Sequence, residues 1–467
     1  MKLKTDSPID YIKKVSEFRK SVFEKIENRN GNQVWLSASL KEVKRVVLIN
    51  SSSRSGSSLL FAILKKVPQI YSLSGEEVPF YKLNGLSFDS LSSDRIPEEL
   101  MEISWDRYGM FRDFLSDFST VRNQDDIIND GDLQNQYIDG LILRFSLQWP
   151  QIRFSHSIFK KIANQALDIY LKNHRIFCKE EFYLGLLRLL RKEYPAINPY
   201  YYDIPQEMIK EKFSEIKVPV GPPNNIVMIE EPPFILLSPN RKLSKSDLSE
   251  KSLLLKSSVN CYRMNFIEQL FPNAEIKVIY LTRNPLASIN GLYDGWLYRG
   301  FFSHNLNFFF RRNNTSLKEL KISGYSDKYV WAKWWWNFDL PVGWQEYIDK
   351  SLQEVCAFQW YSANKAVHEY IRNGKIKYYR TRFENIIKSF ELRVREIKKI
   401  VEFIGNGQYS IEKLGLDKLP VIQATCYPRF YRWKEKKNIL LPLLDNPGIS
   451  KMYRQLGYER KNLKEWL

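Results

Sequence analysis

The spacing of apolar residues changes along the chain from a helical pattern to an alternation of strands and helices. Within the first 30 residues an amphipathic helix is predicted by apolar residues at helical spacing: Ile9, Ile12, Val15, Phe18 and Val22. The run Val46–Ile49 is continuously apolar, which predicts a strand buried on both faces. The following segment predicts a helix that Pro68 ends, with one apolar face formed by Leu59, Leu60, Ile63, Leu64 and Val67.

The same alternation returns in the second half of the chain. Strands are predicted in "KSLLLKSS", at Ile276–Thr282 and at Ile376–Arg380, and helices follow the first and the last of these. This order is typical of an α/β fold with a central parallel sheet flanked by helices. Between about 88 and 223 the alternation lapses, and patches such as "EFYLGLLRLLRKEY" indicate a large, mostly helical insertion. We therefore predict an N-terminal helical segment at 1–45 and a main domain at 46–467.

Net charge narrows the choice of ligands for this fold. The 467 residues include 71 lysines and arginines against 53 aspartates and glutamates, a formal net charge of +18. The excess favours an anionic ligand, polymer or surface without choosing among them. The basic residues are dispersed among acidic ones, whereas nucleic-acid binding predicts a concentrated basic stripe. No nucleic-acid partner is therefore predicted.

Cysteines, histidines and apolar runs bear on metal sites and on the compartment. The four cysteines and four histidines are scattered, so neither a disulfide framework nor a metal site is predicted, and a reducing cytosol is favoured. No apolar run approaches the length of a membrane span. The N-terminus "MKLKTDSPIDYIKKVSEF" carries charges where a signal peptide needs an apolar stretch. We expect a cytoplasmic protein with no membrane span.

The loop after the first strand, "NSSSRSGSS", has the composition of a phosphate-binding turn. Backbone N–H groups that lead into a helix N-terminus concentrate positive charge on a bound anion. Gly56 permits unusual backbone angles, Arg54 adds a forked cation, and Ser55, Ser57 and Ser58 add hydroxyl donors. Ser57 follows the glycine where an NTPase loop has lysine, which disfavours ATP or GTP hydrolysis. A polar turn with no ligand is the alternative.

Three segments in order resemble those of sulfotransferases that use 3′-phosphoadenosine 5′-phosphosulfate (PAPS). The run "RSGSS" at 54–58 resembles the family's 5′-phosphosulfate loop. "LTRNP" resembles the 3′-phosphate segment, in which Arg283 would bind the phosphate. The family's serine eight residues after that arginine falls at Gly291 here, and Ser288 is the substitute candidate. Lys256, in "LLLKSS" upstream of "FPNA", occupies the place of a family lysine near the transferring group.

Two further segments extend the resemblance toward the C-terminus. "YYRTRFENII" resembles the family's "RYEDL" segment, and Phe383 stands where many members have a tyrosine near the adenine. "YPRFYRWKEKKN" at 427–438 is similar to the loop that closes over the nucleotide, with Arg429, Arg432 and Lys434 as candidates. The resemblance implies a P-loop-like sulfotransferase fold, PAPS as co-substrate and no required metal.

The resemblance also implies a hydroxyl-bearing acceptor and a base that takes its proton. "YSLSGEEVPF" is similar to the "GEE" segment of tyrosylprotein sulfotransferases, which makes Glu77 the first candidate and Glu76 the second. His156 and His304 are weaker candidates. The catalytic set is then Arg54, Lys256 and Glu77.

The acceptor is left open among saccharide, lipid and peptide, with the 88–223 insertion as the expected source of its specificity. Trp331, Trp334 and Trp335 fall on one predicted helical face, which indicates either core packing or a binding platform. Two alternatives remain for the whole chain. They are a P-loop kinase, disfavoured by Ser57, and a non-catalytic anion- or nucleic-acid-binding protein, which the net charge allows.

Overall fold

A central sheet, covered by helices, organises the computed structural model of the chain. The structure describes residues 7–30, 40–86, 92–97, 100, 110–120, 124–223, 227–298, 300–312, 318–374, 376–405 and 411–467. The strands are β1 (Arg45–Asn50), β2 (Ile70–Ser72), β3 (Ser119–Thr120), β4 (Arg241–Lys242), β5 (Ser252–Lys256), β6 (Glu275–Thr282), β7 (His304–Asn305), β8 (Trp335–Trp336) and β9 (Lys377–Arg382).

The α-helices occupy most of the chain between these strands. They are α1 (Pro8–Asn30), α2 (Ser57–Leu64), α3 (Val78–Leu83), α4 (Met110–Asp117), α5 (Gly131–Gln148), α6 (His156–Asn173), α7 (Lys179–Glu193), α8 (Gln206–Lys212), α9 (Lys245–Glu250), α10 (Met264–Leu270), α11 (Pro285–Trp296), α12 (Asn307–Arg312), α13 (Leu352–Asn373), α14 (Phe383–Ile387), α15 (Phe390–Ile404), α16 (Lys437–Leu440) and α17 (Pro447–Gln455). Within the described ranges, no helix combines the length and the apolar composition needed to cross a bilayer.

The main sheet is mostly parallel, as the sequence predicts. Among the described residues its strand order is β4-β3-β2-β5-β1-β6-β9. Strands β2, β5, β1, β6 and β9 run parallel, with Val46 in register with Leu253 on one side and Ile276 on the other. The short strands β3 and β4 add an antiparallel edge that the sequence does not predict. Their two-residue length is too short for an alternating pattern to be recognised.

Strand β1 is buried on both faces of the sheet, which confirms the interpretation of its continuous apolar run. Val46 and Leu48 pack in a core that includes residues of α10, whereas Val47 and Ile49 pack in a core with α2 and α15. Successive side chains of a strand point to opposite faces, so four consecutive apolar residues serve two cores. This burial fixes the position at which β1 ends and the polar loop begins.

The stretch from 88 to 223 is mostly helical where it is described, and α5, α6 and α7 form a separate hydrophobic core. Helix α1 contributes to that core through Val22 and Phe23, and to the core on one face of the sheet through Ile12 and Val15. Strand β3 also comes from this stretch. This stretch therefore packs against α1 and touches the sheet. The domain boundaries at 45 and at about 88–223 stay predictions.

The tryptophan-rich segment does not form the helical face that its spacing predicts. Residues Val330–Trp334 form a 3-10 turn, and Trp335 begins β8, which pairs with β7. Trp335 and Trp336 are buried in two different hydrophobic cores. The helical-face prediction is wrong because the chain changes from turn to strand within the segment. The core-packing alternative describes Trp335, and Trp331 and Trp334 pack, partly buried, against the same two cores.

Candidate functional site

A cavity of about 660 Å³ opens where the parallel strands end. Its lining includes the loop after β1, Lys256 at the end of β5, Arg283 directly after β6 and Phe383 directly after β9. Glu76, in the turn after β2, also lines it. Ligands of open α/β sheets bind at this edge, because loops from several adjacent strands converge there. The sheet thus brings together side chains separated by more than 300 residues in the sequence.

The loop after β1 has the local geometry of an anion cradle. Gly56 has φ +94° and precedes α2, whose first turn carries Ser57 and Ser58 on the cavity wall. A Cβ atom at Gly56 would overlap the Phe383 ring, so glycine is required by both its backbone angle and this close approach. The α2 N-terminus therefore exposes unpaired backbone N–H groups beside the cavity.

Two arginines meet at the centre of the cavity wall. Arg283 Nη1 donates to the backbone oxygen of Arg54 at 3.1 Å, and the Arg283 guanidinium lies 4.9 Å from the centroid of the Phe383 ring. Burial, followed by the positive charges of Arg283 and Arg432, lowers the pKa of Arg54 to about 10. In the described part of the chain neither Arg54 nor Arg283 is paired with a carboxylate, and Arg283 Nε is buried without a hydrogen-bond partner. An anion bound here would relieve the repulsion between these cations.

The serines predicted to bind the nucleotide fall into two groups. Ser57 and Ser58 line the cavity, whereas Ser55 and Ser288 are buried behind the loop with their hydroxyl oxygens 3.2 Å apart. Ser55 and Ser288 therefore tie the loop to α11. At Gly291 a Cβ atom would lie 3.1 Å from the Cβ of Arg54, so a serine at this position would crowd Arg54.

The two adjacent glutamates point to different environments. Glu76 lines the cavity, forms an ion pair with Lys256 and accepts a hydrogen bond from Ser257 Oγ at 2.9 Å. Glu77 is 0% exposed, lies outside the cavity lining and accepts a hydrogen bond from Asn260 Nδ2. Burial raises the pKa of Glu77 to about 7, against the opposing effect of the Asn260 hydrogen bond. Of the two glutamates, Glu76 is therefore the one that faces the cavity, together with Lys256.

The histidine candidates lie elsewhere. His304 is buried, with Nε2 3.0 Å from the backbone oxygen of Phe338, and burial lowers its pKa to about 3. His156 begins α6 and, like His304, is not part of the cavity wall. Across the described ranges, no group of three histidine, cysteine or acidic side chains is arranged to hold a metal ion.

A C-terminal segment, Leu419–Trp433, covers the loop after β1. The backbone oxygen of Gln423 accepts a hydrogen bond from Arg54 Nη1 at 2.9 Å, and its side-chain Oε1 accepts one from Ser58 Oγ at 3.0 Å. Arg432 lines the cavity and forms an ion pair with Asp294 of α11. Lys434 lies outside the lining because its ammonium packs over the Tyr431 ring, 4.0 Å from the centroid.

Backbone strain is concentrated around this cavity. The non-glycine residues with positive φ in the described chain are Arg54, Phe301, Phe338, Gln423 and Tyr431, and all of them line it. Left-handed angles cost about 1–2 kcal/mol for a residue with a side chain. Such strain persists where surrounding contacts over-determine the conformation, and it clusters at functional sites. This distribution favours the cavity as the candidate functional site independently of any motif.

Several cavity residues were not predicted from the sequence. Phe301 and Phe338 stack with their ring centroids 5.3 Å apart, and the Arg54 guanidinium lies 4.8 Å from the Phe301 ring centroid. Arg144 of α5 also reaches the cavity and pairs with Glu230. None of these residues lies in a recognisable motif. In the C-terminal segment the sequence points to a ligand only through the basic residues that follow Gln423.

Comparison with known proteins gives little beyond a distant likeness. No protein-family model matches the chain, and no curated protein matches it. A sulfotransferase domain from the curacin biosynthetic pathway is similar over 89% of this chain and 99% of its own, at 12% identity and a TM-score of 0.35. A sulfotransferase domain from the Synechococcus PCC 7002 olefin synthase is similar over 91% and 98%, at 14% identity and a TM-score of 0.32. Because these values are low, the evidence for a function lies in this chain's own residues.

Proposed function

We propose that this protein is a sulfotransferase that transfers the sulfuryl group of PAPS to a hydroxyl of an acceptor. The observation that carries the proposal is the pair of partly buried arginines, Arg54 and Arg283, which face one cavity without a carboxylate partner in the described chain. They follow two neighbouring parallel strands, β1 and β6. A nucleotide with phosphates at both its 5′ and 3′ positions needs two anion sites. The resemblance of "RSGSS" and "LTRNP" to the family segments supports the same assignment.

In this proposal three sets of residues on the cavity wall bind three parts of the nucleotide. The 5′-phosphosulfate lies against the α2 N-terminus, with Arg54, Ser57 and Ser58 as donors. The 3′-phosphate lies at Arg283, whose Nε has no other partner among the described residues. Phe383, close to the loop glycine, offers a ring face for the adenine.

The proposed transfer of the sulfuryl group uses two charged side chains between the nucleotide and the acceptor, Glu76 and Lys256. The acceptor oxygen forms a bond to sulfur while the bond from sulfur to the 5′-phosphate oxygen breaks, and the nucleotide departs with that electron pair. Glu76 accepts the hydroxyl proton, since its carboxylate faces the cavity, and Lys256 stabilises the charge that develops on the departing oxygen. Glu77 holds Asn260 and stays outside the reacting atoms.

The proposal is tested by the binding of 3′-phosphoadenosine 5′-phosphate (PAP), the product nucleotide. At 100 times its dissociation constant a ligand adds about 2.7 kcal/mol to the free energy of unfolding. We expect PAP to raise the melting temperature, adenosine 5′-phosphate to raise it less, and duplex DNA not to raise it. Arg54→Gln should remove the PAP shift, whereas Arg460→Gln, a change at an exposed arginine paired with Asp445, should keep it.

Two results would overturn the proposal. One is a melting temperature that PAP leaves unchanged in the wild-type protein. The other is an equal response to PAP and to adenosine 5′-phosphate, since the second anion site would then contribute nothing.

A further inference from the structure

One wall of the cavity, which we call the apolar wall, is built around a stacked aromatic pair. The rings of Phe301 and Phe338 are 5.3 Å apart between centroids and inclined by 30°. The Arg54 guanidinium packs over the Phe301 ring, so the aromatic pair lies next to the loop after β1. We include in this wall five further apolar residues of the cavity lining: Val78, Pro79, Pro232, Pro233 and Ile235.

The aromatic pair is held in place by several independent contacts. The backbone N–H of Phe301 donates to Pro232 O at 2.6 Å, and that of Phe338 donates to Ser303 Oγ at 2.8 Å. Both aromatic residues have positive φ, 52° and 62°. A Cβ atom at Gly295 would overlap the Phe338 ring, so α11 leaves room for that ring. The strain and the packing together preform an apolar surface.

Charged groups on the apolar wall are already neutralised. Arg144 Nε lies 2.7 Å from Glu230 Oε2, and Lys82 Nζ lies 3.3 Å from Glu231 Oε1. Glu231 also accepts a hydrogen bond from Ser303 Oγ at 2.7 Å. Beside the described part of this wall, Arg54 has no carboxylate partner, but in the proposed function the nucleotide occupies it. An anionic acceptor, such as a charged polysaccharide, would then find no free counter-charge among the described residues of the wall and would lose its hydration.

Space in the cavity is the third constraint. Its volume of about 660 Å³ lies within the range of roughly 300–1,000 Å³ that a single drug-sized ligand fills. The nucleotide uses part of that volume, so only a compact hydroxyl-bearing part of the acceptor fits beside it. A hydrated saccharide chain is a poor match for a small, preformed apolar surface.

We infer that the acceptor is an uncharged hydrophobic alcohol or phenol whose apolar body lies on the Phe301–Phe338 pair. Its hydroxyl reaches Glu76, which lines the same cavity. This inference rests on the proposed function. Of the acceptors that the sequence leaves open it favours a lipid-like alcohol over a saccharide or a peptide, and it adds a small phenol.

The experiment uses the full-length protein with labelled PAPS and four acceptors: 1-naphthol, 1-octanol, a heparosan oligosaccharide and a tyrosine-containing acidic peptide. We expect turnover with naphthol, octanol or both, and none with the oligosaccharide or the peptide. The two active candidates distinguish an aryl from an alkyl acceptor. The affinity for PAP is measured separately by calorimetry, so that nucleotide binding is known whatever the acceptor result.

Variants locate the acceptor on the aromatic pair. Phe338→Leu removes one ring of the pair without touching Arg54, and should raise the acceptor KM roughly three- to tenfold while PAP affinity stays unchanged. Phe358→Leu is the matched control, because Phe358 stacks on Tyr347 at 3.9 Å between centroids and lies outside the cavity lining. Ile235→Ser tests the same wall at a second place if Phe338→Leu does not fold.

The outcomes separate the inference from the proposed function. Absence of PAP binding overturns the proposed function itself. PAP binding combined with turnover of only the oligosaccharide or the peptide, or with no turnover of naphthol and octanol, overturns the inference about the acceptor. An acceptor KM that Phe338→Leu and Ile235→Ser both leave unchanged overturns the assignment to the apolar wall.

Discussion

The substitution Glu77→Gln tests the interpretation of Glu77 as a buried structural carboxyl. Glu77 is fully buried, Asn260 Nδ2 donates to one of its oxygens, and Oε2 has no hydrogen-bond partner among the described residues. Burial disfavours the ionised form and raises the pKa of the folded-state carboxyl to about 7 from its ordinary value of 4.5. Glutamine keeps the shape and the acceptor oxygen, and it carries no charge at any pH.

The expected magnitude follows from the two pKa values. Between pH 4.5 and 7 the folded protein binds more protons at Glu77 than the unfolded chain does, so the free energy of unfolding falls as the pH rises. The full loss is about 3 kcal/mol and is complete above the folded-state pKa. From pH 5.5 to pH 8 the loss is about 2 kcal/mol. The glutamine variant lacks this loss, so its stability relative to wild type should improve by that amount.

The assay is urea-induced unfolding, followed by tryptophan fluorescence, of wild type and variant at pH 5.5 and pH 8. Other groups that titrate in this range are common to both proteins and cancel in the comparison. Glu207→Gln, at an exposed position of α8, is the matched control and should show no pH-dependent gain. A difference between wild type and Glu77→Gln that is the same at both pH values would refute the reasoning, because Glu77 would then ionise as readily in the folded protein as in the unfolded chain.

Further predictions concern turnover and nucleotide binding. Glu76→Gln should lower kcat by about 10²–10⁴ with PAP affinity retained, and full activity would place the base elsewhere. Arg283→Gln should weaken PAP about tenfold to a hundredfold by calorimetry while adenosine 5′-phosphate binding stays nearly constant. Gln423→Ala removes the side chain that accepts a hydrogen bond from Ser58 Oγ, so this hydroxyl becomes available to the nucleotide. The affinity for PAP should then rise about twofold to tenfold; weaker binding would mean that the Gln423 side chain contacts the nucleotide. Gly56→Ala should lower the melting temperature and abolish PAP binding, because it strains the loop and displaces Phe383; unchanged binding would contradict the described packing.

The parallel part of the fold was predictable because its signals are local. Strand β1, its loop and α2 appear at the predicted positions, and β5, β6 and β9 lie within a few residues of their predicted runs. A continuous apolar run that ends abruptly at polar residues marks both the buried strand and the place where ligands bind. Arg54, Arg283 and Lys256 reach one cavity for this reason.

The remaining features depend on contacts that a single sequence does not encode locally. Glu76 and Glu77 are chemically equal neighbours, and only the turn after β2 decides which carboxylate faces the cavity. Ser288 of α11 is buried, whereas its neighbour Ala287 lines the cavity. A difference of one helical position therefore decides whether this serine faces the cavity. Phe301 and Phe338 carry positive φ without the glycine or asparagine that usually signals it, so no turn pattern predicts them.

The five described non-glycine residues with positive φ lower the stability of the folded protein, and all of them shape the wall of the candidate site. Each non-glycine residue held at positive φ costs about 1–2 kcal/mol, and Tyr431 and Gln423 carry this cost on the segment that covers the loop. Replacing them by glycine or asparagine would relieve the strain and is the kind of change that screening for heat resistance recovers. The same changes would loosen the cavity wall at which the proposed nucleotide and acceptor would lie. Thermostable variants of this protein should therefore be selected at positions other than these five residues.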